Sequence, residues 1–342
     1  MRSFASDNNA RVHHEILEAI IRANDGDVIS YGDDVYTQRA IEKFKEIFGK
    51  DIDVYFVYNG TGANVLALTA ITKPFNAIIA SPMSHINVDE CGAVEKSSGC
   101  KIITVPSSDG KIRIDDIKKL LHAKGVEHHS QPKVISITQS TEVGTVYTVE
   151  EIKEITKFAH ENDMYVHMDG ARIANAAASL NKSLREITKD AGVDVLSFGG
   201  TKNGMMFGEA VVFFNRELSK DFKFVRKQGT QLHSKMRYIS AQFEALLSND
   251  LWLKNAKHAN EMAQYLEEKV KEIDEIKLTQ RVEANAVFAI MPRKAIEKLQ
   301  EKYFFYIWDE EKDEVRWMTS FDTKKEDIDL FVEEIKRAMR DF

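Results

Sequence analysis

An aspartate and a lysine, each placed just after an apolar stretch, are the residues of this chain whose types and spacing could do chemistry. Asp169 follows the apolar segment 164–168, and Lys202 lies in a glycine-rich turn after the apolar segment 194–198. Both segments read as buried strands, and open α/β sheets bind ligands at the carboxyl ends of their strands. An aspartate that keeps a pyridine nitrogen protonated and a lysine that forms a Schiff base with an aldehyde are what pyridoxal phosphate requires. The pair therefore predicts a pyridoxal phosphate site.

A glycine-flanked turn offers a place for the phosphate of such a cofactor. Gly60, Thr61 and Gly62 follow the apolar segment 54–58 and open a helix-like segment. Backbone N–H groups at a helix N-terminus bind anions, and glycines let the ligand approach closely. The alternative interpretation is a plain turn between strand and helix. Neither the Walker sequence nor the full GxGxxG pattern is present, so the turn does not indicate nucleotide binding.

Further polar side chains could complete the site. His85, after the next predicted strand, could stack on a pyridine ring or relay protons, or it is simply a loop histidine. Arg172 could bind the cofactor's phenolate oxygen or a substrate carboxylate, and its alternative is a structural ion pair. His128 and His129 lie in a polar loop, where paired histidines are usually solvated. The histidine spacings predict no metal site.

The elements that must position these residues alternate between strand and helix. Strands are predicted at 54–58, 77–80, 101–105, 133–138, 164–168, 194–198 and 209–214, and helices at 61–72, 114–124 and 148–161. Such alternation with apolar strands predicts a mostly parallel sheet covered on both faces. From about residue 245 the pattern becomes that of a smaller α+β domain. Its predicted elements are a helix at 255–273, strands at 286–291, 304–307 and 314–319, and a helix at 325–340.

Composition narrows the functional class. The 342 residues carry 47 lysines and arginines against 54 acidic residues, a net charge of −7, with no basic block. A nucleic-acid or anionic-membrane partner is therefore not expected. No apolar run of about 18 residues occurs, so we expect a cytoplasmic protein. Cys91 and Cys100 have no metal-binding spacing, and we expect both to be buried thiols.

Taken together, the motifs resemble those of the low-specificity L-threonine aldolases and of the wider β-eliminating lyase group of fold-type-I pyridoxal-phosphate enzymes. The motifs that carry the resemblance lie at residues 6–7, 32–36, 59–64, 84–86, 90, 141–147, 167–176 and 202. The resemblance implies an α/β fold of type I, with a mostly parallel seven-stranded sheet in a large domain and a smaller C-terminal α+β domain. It also implies an N-terminal segment (1–20) that reaches the active site, a large domain at 21–245 and a small domain at 246–342.

The resemblance assigns cofactor roles position by position. Lys202 is expected to carry the cofactor, Asp169 to pair with the pyridine nitrogen and His85 to stack on the ring. The residues expected at the phosphate are Gly60, Thr61 and Gly62. The family works as a homotetramer built of dimers, and Arg237 is expected to reach the phosphate in a neighbouring subunit.

The resemblance likewise implies the substrate contacts and the reaction. Ser6, Arg172 and Arg316 are expected to bind the substrate carboxylate, and His129, with His128 as the weaker choice, to approach the side-chain hydroxyl. His85 or His129 would be the base. The expected reaction is retro-aldol cleavage of L-threonine or L-allo-threonine to glycine and an aldehyde. The alternatives are β-elimination from another amino acid, transamination, or a non-catalytic pyridoxal-phosphate-binding protein.

Overall fold

A seven-stranded sheet forms the centre of the molecule, of which a computed structural model describes residues 2–340. Its strands are β1 (Asp53–Val57), β2 (Asn76–Ala80), β3 (Lys101–Thr104), β4 (Gln131–Thr138), β5 (Tyr165–Gly170), β6 (Val195–Gly199) and β7 (Glu209–Phe213). Their spatial order is β1-β7-β6-β5-β4-β2-β3. Strands β2 to β6 pair in parallel, whereas β7 runs antiparallel to both of its neighbours, β6 and β1. The predicted mostly parallel seven-stranded sheet is confirmed.

The central strands are buried on both faces, as expected of a parallel sheet with helices on each side. Every residue of β2, β6 and β7 is buried. The wholly buried His167 in β5 joins three strands, because its two ring nitrogens lie 3.0 Å from the hydroxyls of Ser136 and Ser197. Burial lowers the pKa of His167 to about 4. This histidine is therefore a neutral structural link at neutral pH.

Helices cover the sheet and connect its strands. They are α1 (His14–Arg22), α2 (Val35–Phe48), α3 (Gly60–Ala70), α4 (His85–Val88), α5 (Ala93–Ser98), α6 (Ile114–Lys118), α7 (Val149–Glu161), α8 (Ile173–Leu180), α9 (Phe222–Gln228), α10 (Arg237–Leu246), α11 (Leu251–Val270), α12 (Arg293–Gln300) and α13 (Lys325–Met339). The predicted start of α7 is confirmed, since Thr148 and Glu151 form a capping box there. The helix predicted at 114–124 is wrong in length, because the α-helix ends at Lys118 and a 3-10 turn follows at Leu121–Ala123.

A second, antiparallel sheet lies in the C-terminal part. Its strands are β8 (Lys277–Leu278), β9 (Ala286–Ile290), β10 (Tyr306–Asp309) and β11 (Glu314–Met318), in the order β10-β11-β9-β8. The buried rings of Trp317 and Phe331 pack edge to face between this sheet and α13. The smaller α+β unit is thus confirmed, although the sequence pattern did not indicate β8. The domain boundaries stay a prediction, and the one at 245/246 falls on the last residue of α10.

The N-terminal residues connect the two sheets. Phe4 donates its N–H to the carbonyl of Phe304 at 2.9 Å and accepts from the N–H of Met318 at 2.8 Å, beside the small sheet. A 3-10 turn, Asp7–Asn9, then lies against the 3-10 turn Thr201–Asn203 that follows β6. The chain start therefore runs from the small sheet to the turn that carries Lys202.

Two further observations concern the sequence-based expectations. Cys100 is buried as expected, but Cys91 is exposed, because it lies between α4 and α5 rather than within a helix. None of the helices within residues 2–340 is long and apolar enough to cross a membrane.

Candidate active site

A cavity of about 330 Å³ opens at the carboxyl edge of the large sheet. Strands β1, β2, β4, β5 and β6 all end at this edge, because they run in the same direction. Residues from the ends of four of these strands line the cavity together with one residue of the N-terminal segment, and they include Asn8, Gly60, Thr61, His85, Asp169, Ser197 and Lys202. The structure therefore brings together the predicted lysine, aspartate, histidine and helix N-terminus.

Asp169 is the start of a chain of hydrogen bonds that ends at His85. Its Oδ2 accepts from Asn64 Nδ2 at 2.7 Å, and the same amide group donates to Glu90 Oε1 at 2.9 Å. Glu90 Oε1 lies 2.8 Å from His85 Nδ1. The hydrogen bond to Glu90 raises the pKa of His85, against the effect of burial. Sequence reasoning gave Asn64 and Glu90 no role, although both stand in motifs that it had singled out.

Glu142 is a second buried carboxylate beside His85. Its Oε1 accepts from the backbone N–H of His85 at 2.9 Å and from the hydroxyl of Thr138 at 2.7 Å. Its Oε2 is buried and has no hydrogen-bond partner within residues 2–340. Burial raises the pKa of Glu142 to about 7. A carboxyl group with that pKa can give or take a proton at neutral pH. Glu142 stands in the motif at 141–147, but sequence reasoning gave it no role, because its raised pKa depends on burial in the fold.

Lys202 lies in the 3-10 turn after β6, and its amine is perturbed in the direction that nucleophilic chemistry needs. Burial and the nearby positive charge of Arg172 lower the pKa of Lys202. A larger share of neutral amine at physiological pH results, and only the neutral amine attacks an aldehyde. The buried Glu209 holds the backbone of the same turn, with Oε2 accepting from the N–H of Gly200 at 2.6 Å.

The N-terminus of α3 provides backbone donors at the cavity. The first turn of a helix has N–H groups without intrahelical partners, and Gly60 and Thr61 both line the cavity. The N–H of Gly62 instead donates to the side chain of Asn59 at 2.7 Å. Gly62 faces Gln231, whose Cδ would lie 2.5 Å from a Cβ at that position. Of the three residues predicted for the phosphate, two therefore line the cavity and the third packs behind it.

Arg172 and Arg316 lie near the N-terminal segment, which contacts both. Arg172 Nε and Nη2 donate to the two carboxylate oxygens of Asp7 at 2.7 and 2.9 Å. Arg316 Nη2 donates to the carbonyl of Ala5 at 3.1 Å. Burial and the neighbouring Arg172 lower the pKa of Arg316 to about 10, so that it stays charged at neutral pH. Ser6, the third predicted carboxylate ligand, lies between these contacts and accepts from the N–H of Asn8.

Arg316 carries an unused donor. Its buried Nε finds no acceptor among the residues that the structure describes, although its guanidinium lies 4.8 Å from the ring centroid of Trp308. A buried cationic donor without a partner is costly, and an anionic ligand such as a carboxylate would satisfy it.

His129 lies away from the cavity within the single chain, and its expected approach to the substrate hydroxyl stays a prediction. This histidine and His128 are exposed and precede β4, whose first residue, Gln131, pairs with Asn76 at the start of β2. They therefore lie at the amino edge of the sheet. The cavity lies beyond the other end of β4, roughly 25 Å away at about 3.3 Å per residue. Glu142 follows the carboxyl end of β4 and is a titratable group at the cavity end of that strand.

Arg237 lies outside the cavity within the single chain. It begins α10, and its Nη1 donates to the carbonyl of Gly26 at 2.9 Å. Its expected contact with a phosphate in a neighbouring subunit stays a prediction.

The residues at the cavity fit pyridoxal phosphate. They supply an amine of lowered pKa at Lys202, a buried carboxylate at Asp169 and the first-turn N–H groups of α3, which have no intrahelical partners. The unpartnered Nε of Arg316 adds a site for a substrate anion. A volume of about 330 Å³ falls within the range of roughly 300–1,000 Å³ of small-molecule sites.

Comparison with known proteins identifies the family of this chain. The sequence matches the beta-eliminating lyase family over residues 3–293. It is 42% identical over 340 residues to the low specificity L-threonine aldolase of Pseudomonas aeruginosa, covering 99% of this chain and 98% of that protein. A protein of the same name from Pseudomonas sp. is 41% identical over 339 residues, with the same coverage.

Solved structures give the same answer for the fold. The threonine aldolase of Leishmania major superimposes with a TM-score of 0.94 at 33% identity, covering 98% of this chain and 99% of that one. An aspartate aminotransferase of Thermus thermophilus, at 15% identity and a TM-score of 0.71, shares the fold alone. The chain belongs to the beta-eliminating lyase family and has the fold-type-I architecture of its pyridoxal-phosphate enzymes.

Proposed function

We propose that this protein is a pyridoxal-phosphate-dependent aldehyde-lyase that cleaves L-threonine and L-allo-threonine to glycine and acetaldehyde. The observation that carries the proposal is the identity of 41–42%, over nearly the full length, to two relatives named low specificity L-threonine aldolase. The cavity supports it, because it joins Lys202, Asp169 and His85 at one sheet edge.

The cofactor would be held by residues from four elements. Lys202 would bind its aldehyde, Asp169 would hold a proton at the pyridine nitrogen, and His85 would lie against the ring. Gly60 and Thr61, with Gly62 behind them, would bind the phosphate through the start of α3. When bound, pyridoxal phosphate supplies an electron sink for the bonds at the substrate Cα.

The protein's own side chains would determine which bond at the substrate Cα breaks. Arg172, Arg316 and Ser6 would fix the substrate carboxylate, and this fixes the orientation of the Cα–Cβ bond. Such positioning can contribute up to roughly 7–11 kcal/mol to catalysis. We propose that Glu142 takes the proton of the β-hydroxyl, because its unpartnered Oε2 is buried and its pKa is near neutrality. His85 is the second candidate for this proton transfer.

The test is an absorbance spectrum of the purified protein with pyridoxal phosphate, followed by L-threonine with detection of acetaldehyde. We expect a band at roughly 410–430 nm, as for a lysine-bound cofactor. The band and the acetaldehyde should both be lost in Lys202→Ala. If no band forms in the wild-type protein, the inference from Asp169 and Lys202 is wrong.

β-Elimination on the same scaffold is the second candidate, since the family to which the chain belongs is named for that reaction and one fold hosts many reactions. Comparing L-threonine, L-allo-threonine and L-serine separates the two. Pyruvate from L-serine without glycine from L-threonine would favour elimination. Conversion of the cofactor to the pyridoxamine form by an amino acid, reversed by a keto acid, would indicate an aminotransferase. Retained function in Lys202→Ala would indicate a non-catalytic binding protein.

We propose in addition that the protein assembles as a homotetramer in which Arg237 contacts the phosphate of a neighbouring subunit. Light scattering measures the size of the assembly. Arg237→Ala should weaken binding of pyridoxal phosphate, and the variant should remain a tetramer. The expected cytoplasmic location stays a prediction that cell fractionation would test.

A further inference from the structure

Asp7 accepts hydrogen bonds from one edge of the Arg172 guanidinium. Asp7 Oδ2 accepts from Arg172 Nε at 2.7 Å, and Oδ1 accepts from Nη2 at 2.9 Å. The Asp7 side chain is almost wholly buried, and that of Arg172 is only 14% exposed. A bidentate pair of this kind fixes the plane of the guanidinium as well as its position. The Nη1 donor on the remaining edge is left for another acceptor.

Asp7 is itself held from the C-terminal part of the molecule. Asn285 Nδ2 donates to Asp7 Oδ2 at 3.1 Å and to the carbonyl of Thr319 at 2.7 Å. Burial acts to raise the pKa of Asp7, but the charge and hydrogen bonds of Arg172 outweigh it and hold the pKa below its usual range. Asp7 is therefore ionised at neutral pH, and its charge balances one of the two arginines.

The same short segment contacts the second arginine. The carbonyl of Ala5 accepts from Arg316 Nη2 at 3.1 Å, and Arg316 Nε is left without an acceptor in the described part of the chain. Asn8, next to Asp7, lines the cavity. Residues 5–8 thus join Arg172, on the large sheet's side, to Arg316 on β11.

We propose that Asp7 is a positioning residue: it fixes Arg172 so that this arginine and Arg316 together form one subsite for a single substrate carboxylate. The inference rests on the proposed function, because it needs an amino-acid substrate. It goes beyond the assignment of Arg172 as a ligand, since Arg172 is left able to bind only through the edge that Asp7 does not occupy.

The charge of the subsite follows from the same contacts. Two arginines and one ionised aspartate leave one net positive charge, which matches one carboxylate. Asp7→Asn would leave one acceptor oxygen in place of the two that now bind Arg172, so the plane of the guanidinium would no longer be fixed. Misplacing a binding group by about 1 Å can cost a rate factor of roughly 100.

The experiment compares Asp7→Asn with the wild-type holoenzyme. Glycine binding is measured from the change in the cofactor spectrum, and kcat and KM are measured with L-threonine. We expect the Kd for glycine and the KM for L-threonine to rise by about 10-fold or more, with a smaller change in kcat. Binding of pyridoxal phosphate should change less than binding of glycine, because Arg172 is the one predicted cofactor residue to which Asp7 donates or from which it accepts a hydrogen bond within residues 2–340.

Asp322→Asn is the matched control. Asp322 anchors the same N-terminal segment, accepting from Arg2 Nη2 at 2.5 Å and from Arg11 Nε at 3.0 Å, but it does not contact Arg172. We expect this variant to lower the melting temperature without raising the Kd for glycine. If Asp322→Asn raises that Kd as much as Asp7→Asn does, the effect comes from the segment as a whole and the inference is wrong.

Asp7→Glu keeps the charge and covers the case in which Asp7→Asn does not fold. Its added methylene displaces the carboxylate, and we expect a Kd for glycine between those of the wild type and of Asp7→Asn. If Asp7→Asn does not fold, we expect the Kd of Asp7→Glu to lie above that of the wild type. A Kd equal to wild type in every folded variant would show that Asp7 is only structural. Wild-type protein that binds glycine but forms no acetaldehyde contradicts the proposed reaction and leaves the Asp7 comparison decisive. Wild-type protein that binds no glycine overturns both.

Discussion

Glu142 is the residue at which burial has the clearest chemical consequence. The Thr138 hydroxyl and the His85 N–H satisfy one of its carboxylate oxygens, and the other is buried without a partner in the structure of residues 2–340. Burial raises its pKa to about 7, so that the group is close to half ionised at neutral pH. A general base works best when its pKa lies near the working pH.

If Glu142 is the base, kcat/KM for L-threonine should rise with pH through about 7, because the ionised form then becomes the majority. Glu142→Gln should lose this rise and lower kcat/KM by about 100-fold, the lower end of what general-base catalysis contributes. The measurement is the pH profile of kcat/KM in both proteins, with the cofactor absorbance recorded to show that the site is loaded.

Glu90→Gln is the control for Glu142→Gln. Glu90 is also buried and also beside His85, and burial raises its pKa as well. If the pH dependence disappears in Glu90→Gln but persists in Glu142→Gln, then the His85–Glu90 pair is the base and the assignment to Glu142 is wrong.

At the scale of elements, the close approach of the chain after β5 to the end of β6 brings Asp169 near Lys202. Gly199, the last residue of β6, packs against the backbone of Ala171. A Cβ at Gly199 would lie 2.3 Å from the Ala171 carbonyl oxygen and 2.7 Å from its carbon. Both are backbone atoms, so no side chain can move away to relieve the clash.

We therefore expect Gly199→Ala to destabilise the protein by about 1–3 kcal/mol, as overpacking of a core does, and to weaken binding of pyridoxal phosphate. The measurements are urea unfolding and cofactor titration. Gly60→Ala is the control for stability, since no atom of residues 2–340 lies within 4 Å of a Cβ there. The explanation by backbone clash fails if both variants unfold at the same urea concentration.

At the scale of the whole molecule, buried carboxyl groups make the stability depend on pH. Burial raises the pKa of Glu209 from 4.5 to about 7. The folded protein therefore keeps a proton that the unfolded chain releases at lower pH. As the pH rises from below 4.5 to above 7, the free energy of unfolding falls, because the folded state must then hold a buried charge. Glu142 acts in the same direction.

Glu209→Gln removes this titration, so the free energy of unfolding of the variant should fall less as the pH rises. Relative to wild type, the variant should gain stability between pH 5 and pH 8 by up to about 3 kcal/mol, at roughly 1.4 kcal/mol for each unit of pKa difference. Urea unfolding of both proteins at both pH values gives the change in the free energy of unfolding with pH for each protein. The difference between these two changes cancels the effects of other groups. An equal pH dependence in the two proteins would contradict a raised pKa at Glu209.

The sequence by itself determined the βα alternation, the seven-stranded sheet and the residues at the ends of its strands. These properties follow from hydrophobic periodicity and from local motifs, both of which involve neighbours along the chain. Lys202, Asp169, His85 and the start of α3 could be placed in one site for this reason, because parallel strands end at the same edge.

Only the tertiary structure decided which groups surround them. Asp7 contacts Arg172 and Asn285, both far from it in sequence, and no local pattern indicates that a buried aspartate will find them. The same holds for Glu142, whose raised pKa depends on burial. The direction of β4 puts His129 at the amino edge of the sheet, away from the cavity of its own chain, and the residue type alone does not indicate this position. Burial and long-range contacts belong to the folded chain, and they determine the charge and the proton affinity of the site.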